Sequence, residues 1–387
     1  MINFNSYIAS LILVCILYIP SIRSIYKYII PSPFLAILLA IVLFFLYQAF
    51  LFIIKSNKKL ENILSSKIIC SVYMIIISVL SYIIYPIADA LKTKGQGTTA
   101  DDALIEPAKN FLMGKPMYDL VLYSGVPASA GSGWVILNSP FVAISSYWLF
   151  IPLYIITTIF IYYKIRKDIK TINIVIILLS TSLLYWNLLV VGHDLVALSF
   201  SFVMLTLVLH YFSFNREGRQ GIIMISILAI LSGFIASSRV VFLAFPMLLA
   251  IFLFKFNKYK ALLYGLLTLV TNTSLHLYFY FDTYTYQPMH IFERAKDNVN
   301  YFFITIGGII TLVVVFIAFK KINQSLDSLI KWSFVCLAVP LCIIALGELN
   351  YYNFNIKMWE GANYFMPFIP LGLFFVAQHI QGKTQTD

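Results

Sequence analysis

Charge is what this chain lacks. Of its 387 residues only 11% are Asp, Glu, Lys or Arg, while 61% are hydrophobic. Soluble domains carry about 25% charged residues, so the deficit excludes an ordinary water-soluble fold. Alternating segments of the kind that build membrane β-barrels are missing as well. The four cysteines (Cys15, Cys70, Cys336 and Cys342) form no CxxC pair and lie inside apolar runs. They read as small packing residues and say nothing about the redox compartment. The chain shows no repeat of fixed period, no separate soluble domain and no nucleotide-sugar or metal cradle. Its first twenty residues have neither a basic leader nor a small-residue cleavage site, so a retained first span is expected rather than a removed signal peptide.

What is there is apolar sequence in runs of roughly the 20 residues a helix needs to cross a bilayer. Twelve spans are expected, at 7–22, 33–54, 67–88, 136–163, 171–190, 195–213, 221–237, 240–254, 261–279, 301–319, 332–347 and 362–378. The expected fold is therefore all-α, a polytopic transmembrane bundle forming one integral-membrane domain over 1–387. Aromatic residues make up 17% of the chain, with many Tyr and Phe near span ends, as interfacial belts require.

The connections alternate in character. One set is short and basic and, with the tail, holds 17 of the 27 Lys and Arg residues but only five of the 16 acids. By the positive-inside rule this set is cytoplasmic, together with both termini, and the net charge of +11 is a topology signal rather than a nucleic-acid patch. Arg23 and Lys27 fall on the opposite face in this scheme. The other set includes the long loop at 89–135, the pair His193–Asp194, the Ser237–Arg239 turn, and the 280–300 and 348–361 segments. These polar, aromatic-rich pieces converge on the extracytoplasmic surface, where a site is expected.

Asp101 and Asp102 lead the candidate residues. Leu104, Ile105, Ala108, Phe111 and Leu112 follow at helical spacing, which predicts a short interfacial helix interrupted by Pro107. Thr99 with Asp102 three residues on also fits a helix-capping box, so helix capping and acid–base chemistry both stand as roles for this pair. Lys109, Lys115, Arg239, Arg294 and Lys357 are candidate cations for an anionic group. His193 and Asp194, at a span start, suit site lining or a tight outer turn. Arg239 suits a phosphate contact or simple snorkelling. His290 and nearby tyrosines could stack on a sugar, and Arg294 could meet a phosphate, or the segment is a solvated loop with an aromatic belt. His276 reads as a packing residue.

The run Asp101, Ile105, Ala108, Phe111–Leu112, Gly114–Lys115–Pro116–Met117–Tyr118 resembles the first-loop signature of the GT-C superfamily of polyprenyl-phosphate-sugar glycosyltransferases. Gly192–His193–Asp194, Ser237–Ser238–Arg239 and Asn363–Tyr364–Phe365–Met366–Pro367 are similar to elements of its polyprenol-phosphate mannosyltransferase branch, and Asn138–Ser139–Pro140–Phe141 to its entry into the next span. The chain departs from the pattern at Ile105, Pro107 and Asn363, and in having two spans ahead of the loop. The resemblance implies a GT-C-like bundle with 89–135 as its catalytic loop, and an inverting hexosyltransferase. Asp101, whose spacing fits slightly better than that of Asp102, would be the general base. Lys109, Tyr118, His193, Asp194, Arg239, His290, Arg294 and Lys357 would bind substrate. The expected partners are membrane lipid, a polyprenyl-phosphate sugar and a glycan or glycolipid acceptor, with no cofactor, no metal ligands and no nucleic acid. The expected location is a bacterial plasma membrane. A transporter or flippase of lipid-linked sugars is the alternative, though no Gly- or Pro-broken span or internal repeat stands out for it. An oligosaccharide polymerase, with its long outer loop late in the chain, and an inactive relative of the same fold are further readings.

Overall fold

The computed structural model describes residues 6–29, 32–94, 98–123, 125, 128–215, 218–282 and 299–381. The apolar runs are helical, although the expected span 136–163 is divided between two helices by a break at 144–146, and no strand occurs among the described residues. In chain order the principal helices are α1 (Ser6–Tyr28), α2 (Pro33–Ser56), α3 (Lys67–Ala90), α4 (Asp102–Leu112), α5 (Ser132–Ala143), α6 (Phe150–Arg166), α7 (Ile169–Ser180) and α8 (Leu183–Val190). There follow α9 (Asp194–Asn215), α10 (Gly218–Ala236), α11 (Ala244–Phe256), α12 (Lys258–Asp282), α13 (Tyr301–Lys321), α14 (Leu326–Tyr351) and α15 (Ile369–Ile380).

Among the described residues eight helices are long and apolar enough to cross a membrane: α1, α2, α3, α6 with its preceding turn, α9, α10, α13 and α14. The α7–α8 pair, bent by 82°, makes a ninth if taken as one broken span. The remaining three of the twelve expected spans are helical but of another kind. The run 240–254 lies in a shorter apolar helix, Val240–Phe256. Helix α12 is 25 residues long but carries a polar centre that docks on α10. There Tyr264 donates to Ser232 at 2.6 Å, Thr268 to the Ala229 carbonyl at 3.0 Å and Asn272 to the Gly233 carbonyl at 3.3 Å. Gly233 permits the approach, since a Cβ there would lie 2.7 Å from that of Thr271. The run 362–378 divides into a tight helical stretch, Glu360–Phe368, and the 12-residue α15, which is buried along nearly all its length. For α15, apolar sequence enclosed by protein has the same composition as apolar sequence facing lipid, so a window of hydropathy cannot tell the two apart.

The connections sort onto two ends. At the basic end Lys170 pairs with Glu61, Arg166 with Asp327, Lys255 bonds the carbonyls of Lys320 and Ile322, and His210 meets the Gln324 carbonyl. At the other end Arg23 bonds the Lys357 carbonyl and lies 3.5 Å from Glu360, which sets the first hairpin beside the 348–361 segment. The Asp101 loop, His193–Asp194 and Arg239 gather at this second end.

The break between α7 and α8 contains neither Gly nor Pro. Its freed backbone groups are taken by side chains instead, as a low-dielectric interior demands. Ser182 accepts from the Tyr185 amide at 3.3 Å, Ser21 of α1 accepts from the Leu184 amide at 3.1 Å, and Trp186 donates to the Ser180 carbonyl at 2.8 Å. Replacing Ser182 or Ser21 by alanine is expected to cost about 1 kcal/mol each. The two hydroxyls lie 3.5 Å apart, so the double variant should lose less than the sum. Unfolding midpoints in detergent check this, and a double variant as stable as the parent would contradict it.

Candidate functional site

The site is assembled from the end of α3 outward. Tyr85, Asp89 and Lys92 recur at i, i+4 and i+7, so the end of α3 and the turn after it present one polar stripe. Against that stripe lies the start of α4. Asp101 occupies the helix-capping position, with its backbone carbonyl accepting from the amides of Leu104 (2.9 Å) and Ile105 (3.0 Å). Its side chain makes no capping bond. The carboxylate turns to α3, where Oδ2 accepts from the Tyr85 hydroxyl at 2.8 Å, and the residue is 1% exposed. Helix α4 runs unbroken through Pro107, contrary to the expected interruption, and buries Leu104 and Ala108 while Phe111 and Leu112 stay exposed.

The neighbouring carboxylates are treated differently. Lys92 Nζ sits 2.7 Å from Asp102 and 2.5 Å from Asp89. Partial burial pulls the Lys92 ammonium down, but its bonds to these two carboxylates outweigh that and hold it protonated, above its ordinary range. One oxygen each of Asp89, Asp101 and Asp102 lies within 4.8 Å of the others, and the Lys92 ammonium pairs with two of the three, Asp89 and Asp102. Asp101 forms no ion pair among the described residues. Burial, opposed by the Tyr85 bond and reinforced by the charge of Asp102, pushes its carboxyl up to about 7.

A second layer packs on Tyr85. The Tyr147 ring lies 5.6 Å from it, and the Tyr147 hydroxyl donates to the Gly192 carbonyl at 3.0 Å. Gly192 has φ +67°, and a Cβ there would stand 2.5 Å from the Tyr85 ring, so both backbone and space require glycine. This turn delivers His193 and Asp194 to the start of α9. Asp194 Oδ1 is 2.9 Å from His193 Nδ1, and the carboxylate takes both terminal nitrogens of Arg239 at 3.4 Å. Arg239 is 5% exposed, bonds the Ser238 carbonyl at 2.9 Å and interacts with the Tyr364 hydroxyl. The same Ser238 carbonyl accepts from the Gly131 amide at 3.1 Å, which seats the start of α5 here. Snorkelling is thus not what Arg239 does. Its Nε and the hydroxyls of Ser132 and Ser238 are buried without a protein partner among the described residues. An apolar cavity of about 400 Å³ lies between α5, α6, α9 and α10, lined by Leu137, Phe141, Leu153, Met204, Met224 and Ile235 among others.

Of the expected site residues, Asp101, Asp102, His193, Asp194 and Arg239 come together in these two layers. Lys109 does not, since it pairs with Glu106 on the exposed side of α4. Tyr118 is buried and donates to the Ala130 carbonyl at 2.8 Å, fastening the loop to itself. Lys357 lies over the Tyr26 ring at 5.5 Å. His290 and Arg294 fall outside the described residues. Tyr85, Lys92 and Tyr147 were not anticipated. The i, i+4, i+7 spacing of Tyr85, Asp89 and Lys92 was the available signal, whereas nothing local marks Tyr147. Comparison with protein-family models, with curated proteins and with solved structures returned no match to this chain.

Leaving Asp194 buried without its guanidinium is costly. Arg239→Ala should lower stability by about 3–5 kcal/mol. Removing both partners, in Asp194→Ala with Arg239→Ala, should restore part of that loss. Unfolding in detergent decides, and a double variant weaker than Arg239→Ala would overturn the account of the pair.

Proposed function

We propose that this protein is a membrane glycosyltransferase that moves a hexose from a polyprenyl-phosphate sugar to a lipid or glycan acceptor at the extracytoplasmic face. The observation that carries the reading is Asp101, a carboxylate buried at a helix start whose side chain makes no capping bond and, among the described residues, forms no ion pair, and whose carboxyl is pushed up to about 7. A group with that affinity for protons suits a general base working near neutral pH. In the proposed step Asp101 takes the proton of an acceptor hydroxyl as its oxygen bonds to the anomeric carbon. The bond from that carbon to the phosphate oxygen breaks in the same displacement, and the phosphate leaves with the electron pair, so configuration inverts. Asp102, held by Lys92, orients the start of α4.

The leaving phosphate needs donors. Arg239 Nε and the Ser132 and Ser238 hydroxyls are buried and unspent. The apolar cavity between α5 and α10 would take part of the polyprenyl chain. The resemblance to the GT-C first-loop signature supports the same reading. Mannose is the favoured sugar through the branch that the motifs resemble. The excess of Lys and Arg in the connections at the basic end supports a cytoplasmic placement of that end, with both termini on the cytoplasmic side of a bacterial plasma membrane.

One observation favours a second reading, a flippase of lipid-linked sugars. The α7–α8 break of 82° is the kind of discontinuous span on which transporters build midplane sites. Purified protein given radiolabelled polyprenyl-phosphate sugars and a lipid-extract acceptor separates the two. Transfer is expected from the parent, with Asp101→Asn reduced roughly 10²- to 10⁴-fold. Because the base acts only when ionised, kcat/KM should climb as pH rises through about 7 and level off above it. Translocation of the donor across vesicles with no product formed, and no effect of Asp101→Asn, would replace the enzyme by the flippase.

A further inference from the structure

We propose that Tyr85 is a positioning residue for Asp101, and that Gly192 is glycine so that the His193–Asp194 turn can press directly on the Tyr85 ring and hold it there. This rests on the reading of Asp101 as the general base. The geometry is continuous. The Tyr85 hydroxyl donates to Asp101 Oδ2 at 2.8 Å, and Tyr85 is 8% exposed. Behind the ring, Gly192 approaches so closely that any Cβ would meet Tyr85 Cε2 at 2.5 Å. Tyr147 closes the packing by contacting the ring and bonding the Gly192 carbonyl. Asp101 and the Asp194–Arg239 pair are therefore not independent pieces, because the turn that begins α9 sets the position of the phenol that holds the carboxylate.

The groups that face Asp101 from each element packed around it are Tyr85 and Asp89 of α3, Lys92 in the following turn, Asp102 of α4 and Tyr147 ahead of α6. Tyr85 is the one that bonds Asp101 directly without adding a charge. Removing its hydroxyl takes away a donor that favours the ionised carboxylate and frees the side chain to rotate.

The test uses full-length protein in nanodiscs with three variants, Tyr85→Phe, Gly192→Ala and Asp101→Asn. Tyr85→Phe is expected to lower kcat for transfer roughly 10²-fold with the KM for the donor within about twofold. The acid limb of its pH profile should move up by about one pH unit. Carbodiimide labelling of Asp101, followed by mass spectrometry across pH, should move in the same direction in the absence of any substrate. Gly192→Ala, if it folds, should reproduce both shifts, and combining it with Tyr85→Phe should add little. A Tyr85→Phe protein with parental kcat, pH limb and labelling overturns the inference. A Tyr85→Phe protein with a lowered unfolding midpoint but an unmoved pH limb and labelling profile assigns Tyr85 a packing role only, which also overturns it. If Asp101→Asn keeps full transfer, the base assignment itself falls, a result distinct from either failure of Tyr85.

Discussion

A charge that cannot reach water has to be held by protein, and the pairing of Asp194 with Arg239 is where this fold meets that demand most severely. Both side chains are nearly inaccessible, at 2% and 5% exposed for the whole residues. A buried pair of this kind gains little net stability, since desolvation offsets most of the attraction, but breaking it is costly. The pair therefore acts as a constraint more than as a source of stability. It fixes the start of α9 against the turn between α10 and α11, and through the Ser238 carbonyl it fixes the start of α5 as well. Tyr364, in the tight helical stretch before α15, reaches the same guanidinium. Four separate parts of the chain are registered on one ion pair.

The same requirement, applied to backbone groups, shapes the rest of the interior. Where α7 ends, three side chains from two parts of the chain replace the missing helical bonds. Asn173, fully buried in α7, donates to the carbonyls of both Leu64 and Ser66 at 2.7 Å and closes the end of the short helix at 58–64 in that way. Threonine, serine and tyrosine hydroxyls along α10 and α12 serve as interhelical bonds in an interior where lipid supplies no hydrophobic contrast to drive helices together. These are the places where a membrane bundle acquires specificity, and none of them adds a net charge.

How much of this was legible follows from the range over which each feature is encoded. Apolar runs are local, so the helices and their order could be read directly. Their depth could not, because α15 is enclosed by α9, α14 and α7 while α2 turns Phe34, Ile37, Phe45 and Phe52 outward, and both are equally apolar in sequence. The bend after Ser180 escaped notice since breaks are sought at Gly and Pro, and this one is stabilised by Ser21, some 160 residues earlier in the chain. Asp194 and Arg239 stand out individually as ionisable residues beside apolar runs, and Asp101 as one of two adjacent carboxylates in the long polar loop. That Asp194 would take Arg239, 45 positions on, while Asp101 would take a tyrosine, is a matter of tertiary arrangement. Tyr85 was lost among 26 tyrosines, most of which sit at span ends for interfacial reasons.

The contrast between Asp101 and Asp102 is the most informative local feature, because adjacent identical residues are given opposite surroundings. Asp102 is anchored by a cation, Lys92. A carboxylate meant to exchange a proton is poorly served by a cation, which would lock it in the ionised form. It needs burial to raise its affinity for the proton and a neutral donor to keep its orientation in either state. Tyr85 is a neutral donor, and the surroundings of Asp101 supply the burial. A helix-capping role would need neither, and the capping bond that would signal it is not made. The arrangement of this pair thus suits the proposed proton transfer at Asp101, with Asp102 anchored to Lys92, the two adjacent residues being set apart by environment alone.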